Sequence, residues 1–405
     1  MSGFETMRRR KPGPGQGNGP GDAGKETAGR DAGSEAGSHG EVAGEAEGRR
    51  GRFAATPPDP AFVPPFLDAC RGNPVPFTPV WVMRQAGRYL PEYRAIREKV
   101  DFLTLTKTPE LAAEVTLQPI RRFGMDAAIL FSDIMTPVEG MGIELDFAPG
   151  PVIGNPVRNP EDVKRLRVAD PHEAVPFVMD TIRILRQELP VTAPLIGFAG
   201  APWTLFCYAV EGKGSKTFIG AKSFLFAQPA AGQALLEKLA DTMIAYLRAQ
   251  AEAGAQALMV FDSWAGLLSP WEFRAFALPA VRRTIQGLED LGLPVIYFPN
   301  QGATLMRDAG TTGAHVLGVD WRLPLSDARE ILGPDVAVQG NLDPAALFAP
   351  RAELRSQIRR VLDEAGDRPG HIFNLGHGIE RTTDPDALAY LVDCVHEWTE
   401  GEHSG

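Results

Sequence analysis

The chain has 405 residues, 44% hydrophobic and 23% charged, with a formal net charge of −10. No apolar run reaches the roughly 18 residues of a membrane span, and a net-acidic chain lacks the broad basic field that holds proteins to phosphate backbones. Membrane insertion is excluded and nucleic acid disfavoured. Cys70, Cys207 and Cys394 form no CxxC pair and no zinc spacing, which argues against a disulfide framework and points to a reducing, cytoplasmic compartment.

Residues 1–52 contain 14 glycines but only four large apolar residues, Met1, Phe4, Met7 and Val42. Such a segment buries too little surface to offset chain entropy, so a disordered extension is predicted. Its Arg8–Lys11 run is followed by no apolar stretch, and eight acidic residues are wrong for a transit peptide. The remainder, 53–405, holds 32 basic against 43 acidic residues, so the acidity belongs to the folded part.

From residue 53 onward, short apolar runs alternate with stretches of helical period. Strands are predicted at 78–83, 127–131, 195–198, 257–261, 295–298, 315–319, 336–338 and 371–374. Helices are predicted at 110–123, 229–253, 270–291, 351–365 and 385–399; several open at Pro or an acidic residue and close at Gly. Eight buried strands alternating with helices describe a parallel sheet with a covered outer face: an α/β fold, here a single (β/α)8 TIM barrel over 53–405. A doubly wound open sheet is the structural alternative.

The residues just past each strand favour the barrel. Arg84-Gln85, Ser132-Asp133, Gly200, Asp262-Ser263, Asn300-Gln301, Asp320-Trp321, Gly340-Asn341 and Gly376-His377 gather polar and small residues at strand carboxyl ends, where a barrel builds its active site. Turn residues end any strand. Arg, Asp and His directly after buried strands are costlier, which favours a functional mouth.

Arg84 and Arg88 leave the first strand four residues apart, with Gly87 between them permitting close backbone approach. Their guanidiniums suit a carboxylate or phosphate ligand, or equally ion pairs with acids such as Glu92 and Glu98. Asp133 ends an apolar strand, where a carboxylate either accepts ligand N–H groups or caps a turn. Tyr208 lies in a helix opening at Pro202 and aims a phenol inward or serves as core. Gly212 and Gly214 complete no phosphate-loop frame. Ser263, His377 and an Asp suggest a hydrolytic triad, but no GxSxG elbow accompanies them. His315, opening a strand, reads as core; His172 and His396 fall in helical stretches, and His39 and His403 in the tails.

PVWVMRQAGRYLPEYR and GFAGAPWTLFCYAVEG resemble the two signature stretches of the uroporphyrinogen decarboxylase family. FSDI, FDSWAG, QGNLDP and NLGHG stand in that family's order, so the resemblance spans about residues 66–398. It implies one (β/α)8 domain, a homodimer, a small-molecule tetrapyrrole substrate and no metal or prosthetic group. The implied reaction converts the four acetates of uroporphyrinogen III to methyls, giving coproporphyrinogen III and four CO2. By motif, Arg84 and Arg88 bind substrate carboxylates, with Gln85, Ala86 and Gly87 as intervening backbone. Asp133 accepts the pyrrole N–H groups as the catalytic anion, Tyr208, Ser263 and His377 complete the wall, and Arg97 is a further carboxylate contact. Trp264 stands where some members carry histidine. The competing readings are a corrinoid-linked methyltransferase, whose zinc-binding HxC pair is absent here, and a silent tetrapyrrole binder.

Overall fold

A computed structural model describes residues 62–147 and 150–401. The predicted extension 1–52, the domain boundary at 53, and His39 and His403 lie outside the described residues. Seven strands form one parallel sheet: β1 (Ala128–Ile129), β4 (Leu195–Gly200), β5 (Ala257–Asp262), β6 (Val295–Pro299), β7 (Val316–Gly318), β8 (Ala337–Leu342) and β9 (His371–Leu375), neighbours in that order. An antiparallel pair, β2 (Leu145–Phe147) with β3 (Pro151–Ile153), is inserted after β1 and has no counterpart in the strands predicted from periodicity.

The eighth position of the barrel is filled by the predicted first strand, 78–83, which among the described residues makes a single parallel bridge, Val80 to Phe373. On one side Phe373 N–H donates to the Pro79 carbonyl at 2.9 Å and Trp81 N–H to the Phe373 carbonyl at 3.3 Å. On the other, Asp126 N–H donates to the Val80 carbonyl at 2.9 Å, closing the ring toward β1. The expectation of eight ladder strands is thus corrected to seven plus one extended segment. Pro79 has no N–H, and side chains take the donors a ladder would use. Val80 N–H goes to Asp126 Oδ2 (2.7 Å), Val82 N–H to Gln85 Oε1 (3.3 Å) and Met83 N–H to Asn374 Oδ1 (3.1 Å).

The strands are buried because the barrel interior covers one face and helices the other: every residue of β4, β6, β8 and β9 is buried. Inside, Trp81, Tyr297 and Phe373 are fully buried, and the Trp81 indole N–H donates to Gln339 Oε1 at 2.9 Å, so its one polar atom is satisfied. Outside, helix Pro109–Phe123 ends at a left-handed Gly124, and helices Pro229–Ala253, Arg351–Ala365 and Pro385–Thr399 turn their apolar stripes to the sheet. The predicted helix 270–291 is instead composite. A helical turn Pro270–Glu272 passes into a π-helical segment Phe273–Ala277, then an α-helix Leu278–Gln286 and a 3-10 turn Glu289–Leu291. Pro279 cannot donate to the carbonyl four residues earlier, and the wider π turn absorbs that lost bond.

His315 is another correction: its side chain is exposed and its Nδ1 accepts the Val295 N–H at 3.1 Å, just before β7 begins. All three cysteines are free and buried. Among the described residues, no helix is long and apolar enough to cross a membrane, and no group of three or more His, Cys, Asp or Glu side chains is placed to hold a metal ion.

Candidate active site

The side chains beyond the strand carboxyl ends converge on Arg84. This residue breaks the first segment with a φ of 63°, a left-handed conformation that costs a non-glycine residue roughly 1–3 kcal/mol and tends to occur at functional sites. The strain turns its guanidinium across the mouth toward the segment after β9. There a Cβ on Gly378 would lie 2.4 Å from Arg84 Cδ, so only glycine at 378 leaves room for the arginine stem. Ile379 N–H donates to the Met83 carbonyl at 2.9 Å and ties the two segments together.

The chain from Arg84 to Arg88 divides its labour. Gln85 is fully buried and braces the loop: its Nε2 donates to the Ala127 carbonyl at 3.1 Å, and its own carbonyl accepts the Tyr89 hydroxyl at 2.7 Å. Its side chain is thus fully buried and engaged in holding the loop rather than facing solvent. Among the described residues, no hydrogen bond engages the N–H groups of Ala86, Gly87 or Arg88. Three successive free N–H groups, at Ala86 to Arg88, are donors open to an anion.

Asp133 follows β1 with its side chain turned into the same mouth. Its Oδ1 accepts the Met135 N–H at 2.8 Å, so the capping reading from sequence is realised by one oxygen. Among the described residues, Oδ2 has no hydrogen-bond partner. Burial raises the carboxyl pKa, opposed by the Met135 N–H and by the nearby charge of Arg84. The site thus holds a half-satisfied anion in poor solvent, facing a cation.

Tyr208, on helix Pro202–Glu211, and His377, after β9, are half-buried and sense the same arginine. The Tyr208 hydroxyl pKa is raised by burial and further by Asp133, while Trp264 and Arg84 oppose the rise. Its ring meets Phe218 edge-on at 5.6 Å and Trp264 at 6.1 Å, forming an aromatic wall. The Trp264 indole N–H is buried with no acceptor in bonding geometry. His377 is pushed down by burial and then by Arg84, so its imidazole is neutral at pH 7 and available as a hydrogen-bond partner. Arg322, which also depresses His377, stacks over the Trp321 ring at 4.0 Å and donates to Asp320 Oδ1 at 3.2 Å.

Ser263 is half-buried after β5, with its carbonyl accepting Asn300 Nδ2–H at 3.0 Å. The adjacent Asp262 does not serve a hydrolytic triad: Oδ1 accepts the Thr204 hydroxyl at 2.7 Å and Oδ2 the Tyr297 hydroxyl at 2.9 Å, both deep in the barrel. Arg88 and Arg97 both lie beside Tyr93. Arg97 donates to the Val100 carbonyl and lies 6.0 Å over the Phe102 ring, so its fork is partly engaged at the rim. Gly378 and Arg322 are site residues that the sequence does not single out. NLGHG holds the first and Arg322 directly follows the Asp320-Trp321 pair, but a missing Cβ and a remote cation have no local signature.

Comparison with known proteins adds identity to this geometry. The family model for uroporphyrinogen decarboxylase matches residues 63–398. A uroporphyrinogen decarboxylase from Geobacter metallireducens is 56% identical over 331 residues, covering 82% of this chain and 97% of that protein. Another from Syntrophotalea carbinolica is 54% identical, covering 83% and 98%. Among solved structures, a methyltransferase from Methanosarcina mazei superposes with a TM-score of 0.70 at 21% identity, over 82% of this chain and 97% of that one. The last likeness is one of fold.

Proposed function

The chain belongs to the uroporphyrinogen decarboxylase family, and from that premise we propose that it removes four CO2 from the acetate side chains of uroporphyrinogen III, leaving coproporphyrinogen III, in the tetrapyrrole pathway toward haem. Each acetate loses CO2 and gains one proton to become a methyl group. Breaking that C–C bond needs an electron sink. A pyrrole protonated on a ring carbon is such a sink: the electrons of the breaking bond flow into the cationic ring, and a second proton on the resulting exocyclic methylene, with loss of the ring proton, restores the pyrrole. The substrate supplies its own electronics, so no metal or prosthetic group is required of the protein.

The chain's part is electrostatic. Asp133 Oδ2, free of donors among the described residues, accepts pyrrole N–H groups and steadies the ring cation; this open oxygen beside Arg84 is the observation that carries the reading. A macrocycle seated in the mouth displaces water, and that attraction is then stronger than it is in solution. Arg84, Arg88 and the free N–H groups of Ala86 and Gly87 grip peripheral carboxylates, with Arg97 at the rim. Neutral His377, Tyr208 and Ser263 line the wall and hydrogen-bond to the macrocycle. The domain's acidity repels an anionic substrate at long range, so affinity rests on this local arginine cluster.

A homodimer working in the cytoplasm completes the proposal. Its support is an exposed apolar patch in which Phe226 (56% exposed) and Trp271 (62%) flank Phe276. Anaerobic incubation of chelator-treated protein with uroporphyrinogen III tests the whole reading: hepta- through tetracarboxylate products and CO2 are expected, and no product means the reading fails. Stoichiometric zinc in the untreated protein would favour the methyltransferase alternative.

A further inference from the structure

The opposite end of the barrel holds a second concentration of unpaired positive charge. Arg329, on helix Leu325–Leu332 after β7, is 7% exposed. Its Nη1 donates to the Pro369 carbonyl at 3.2 Å, while Nε and Nη2 are buried without an acceptor. Arg368, the residue preceding that proline, likewise has Nε and Nη2 buried and unpartnered. Among the described residues, neither arginine has an ion-pair partner. The charge that bears on Arg329 is that of Arg368, and burial together with this like charge pulls the Arg329 pKa down to about 10.

Two guanidiniums held together out of water without a counter-charge are expensive. In both, the unpartnered atoms are Nε and Nη2, the side-on edge of the fork that binds oxyanions through two parallel hydrogen bonds. Two such edges offer four donors and two positive charges, matched to the several oxygens and the nearly double negative charge of a phosphate group. Arg368 stands just before Gly370, whose Cα environment includes Ala337 at the start of β8. The pair is therefore at the amino ends of the strands, on the face away from Arg84, Asp133 and His377. We propose that Arg329 and Arg368 form a binding site for a phosphate group, separate from the tetrapyrrole site.

The test is titration of inorganic phosphate into the full-length protein at fixed ionic strength, followed by calorimetry and by the thermal midpoint, since a ligand of the native state raises it. A saturable rise is expected with phosphate and with glycerol phosphate, the two separating a free ion from a monoester, and not with matched potassium chloride. Arg84→Gln should retain the response, because that arginine lies in the mouth. Arg368→Gln should lose it, and Arg368→Lys, which keeps the charge but not the fork, should bind at least roughly tenfold more weakly; the lysine variant decides the matter if the glutamine variant does not fold. Uroporphyrinogen turnover in phosphate-free buffer should be unchanged in both Arg368 variants. No saturable response in the wild type, an equal response to acetate, or a response lost in Arg84→Gln and kept in Arg368→Gln would each overturn the proposal.

Discussion

Asp133 and Asp262 both stand at or just beyond the carboxyl end of a barrel strand, and burial raises both pKa values, that of Asp262 to about 6. They differ in what surrounds the charge. Asp262 has each oxygen met by a hydroxyl, from Thr204 and Tyr297, and no charged group near enough to oppose its burial. Thr204 in turn accepts the Trp264 backbone N–H at 3.2 Å, so this carboxylate holds the β5 loop in place. Asp133 has one oxygen met by a backbone N–H, the other open, and Arg84 close by. The contrast teaches that burial alone does not mark a site. A carboxylate satisfied on every side is structure; one left half satisfied, opposite a strained arginine, is chemistry waiting for a ligand.

The sharpest way to break the comparison is Asp133→Asn, which keeps the cap and removes the charge. Turnover of uroporphyrinogen should fall on the order of 10²–10³-fold, the cost of losing one preorganised electrostatic contact; near-normal turnover would end the distinction between the two aspartates. The same variant should be more stable than the wild type. Because the folded pKa of Asp133 lies above its unfolded value, the ionised group destabilises the native state fully above the folded pKa, and the penalty fades as pH falls toward the unfolded value of about 3.9. Thermal melts should therefore show the advantage of Asp133→Asn at pH 7 and its disappearance near pH 4.

Asp262→Ala should do the reverse, lowering stability by about 1–3 kcal/mol in denaturant unfolding because two buried hydroxyls lose their acceptor. Its effect on turnover should be smaller than that of Asp133→Asn. Gly378→Ala drives a methyl into the Arg84 stem and should raise KM about tenfold, roughly 1.4 kcal/mol, with little change in melting. The smallest effect is spectroscopic: Arg84→Gln removes a cation that depresses His377, so the imidazole titration followed by NMR should move upward by less than about one pH unit. A downward move would mean that Arg84 does not share the mouth with His377.

Much of this arrangement is legible along the chain. Continuous apolar runs such as LIGFAG and HIFNL can be satisfied only by strands covered on both faces, and the polar residue after each run marks the mouth. Arg84, Asp133 and His377 are all legible that way. The first strand misleads, because 78–83 has strand composition while its ladder donors are diverted to Gln85, Asn374 and Asp126, residues as far as 291 positions away. Gln85 belongs to the signature stretch, yet its side chain is a brace.

The sequence by itself therefore determined the class of fold, the order of its elements and the residue types at the strand ends, because hydrophobic period and turn chemistry are local properties of the chain. Only the tertiary structure decided which of two similar aspartates stays open and which arginine faces it. It alone showed that Gly378 makes room for that arginine and that Arg329 meets Arg368 with no counter-charge among the described residues. Those outcomes depend on which side chains from distant segments arrive to fill each other's hydrogen bonds, and no neighbouring residue records an arrival that fails to occur.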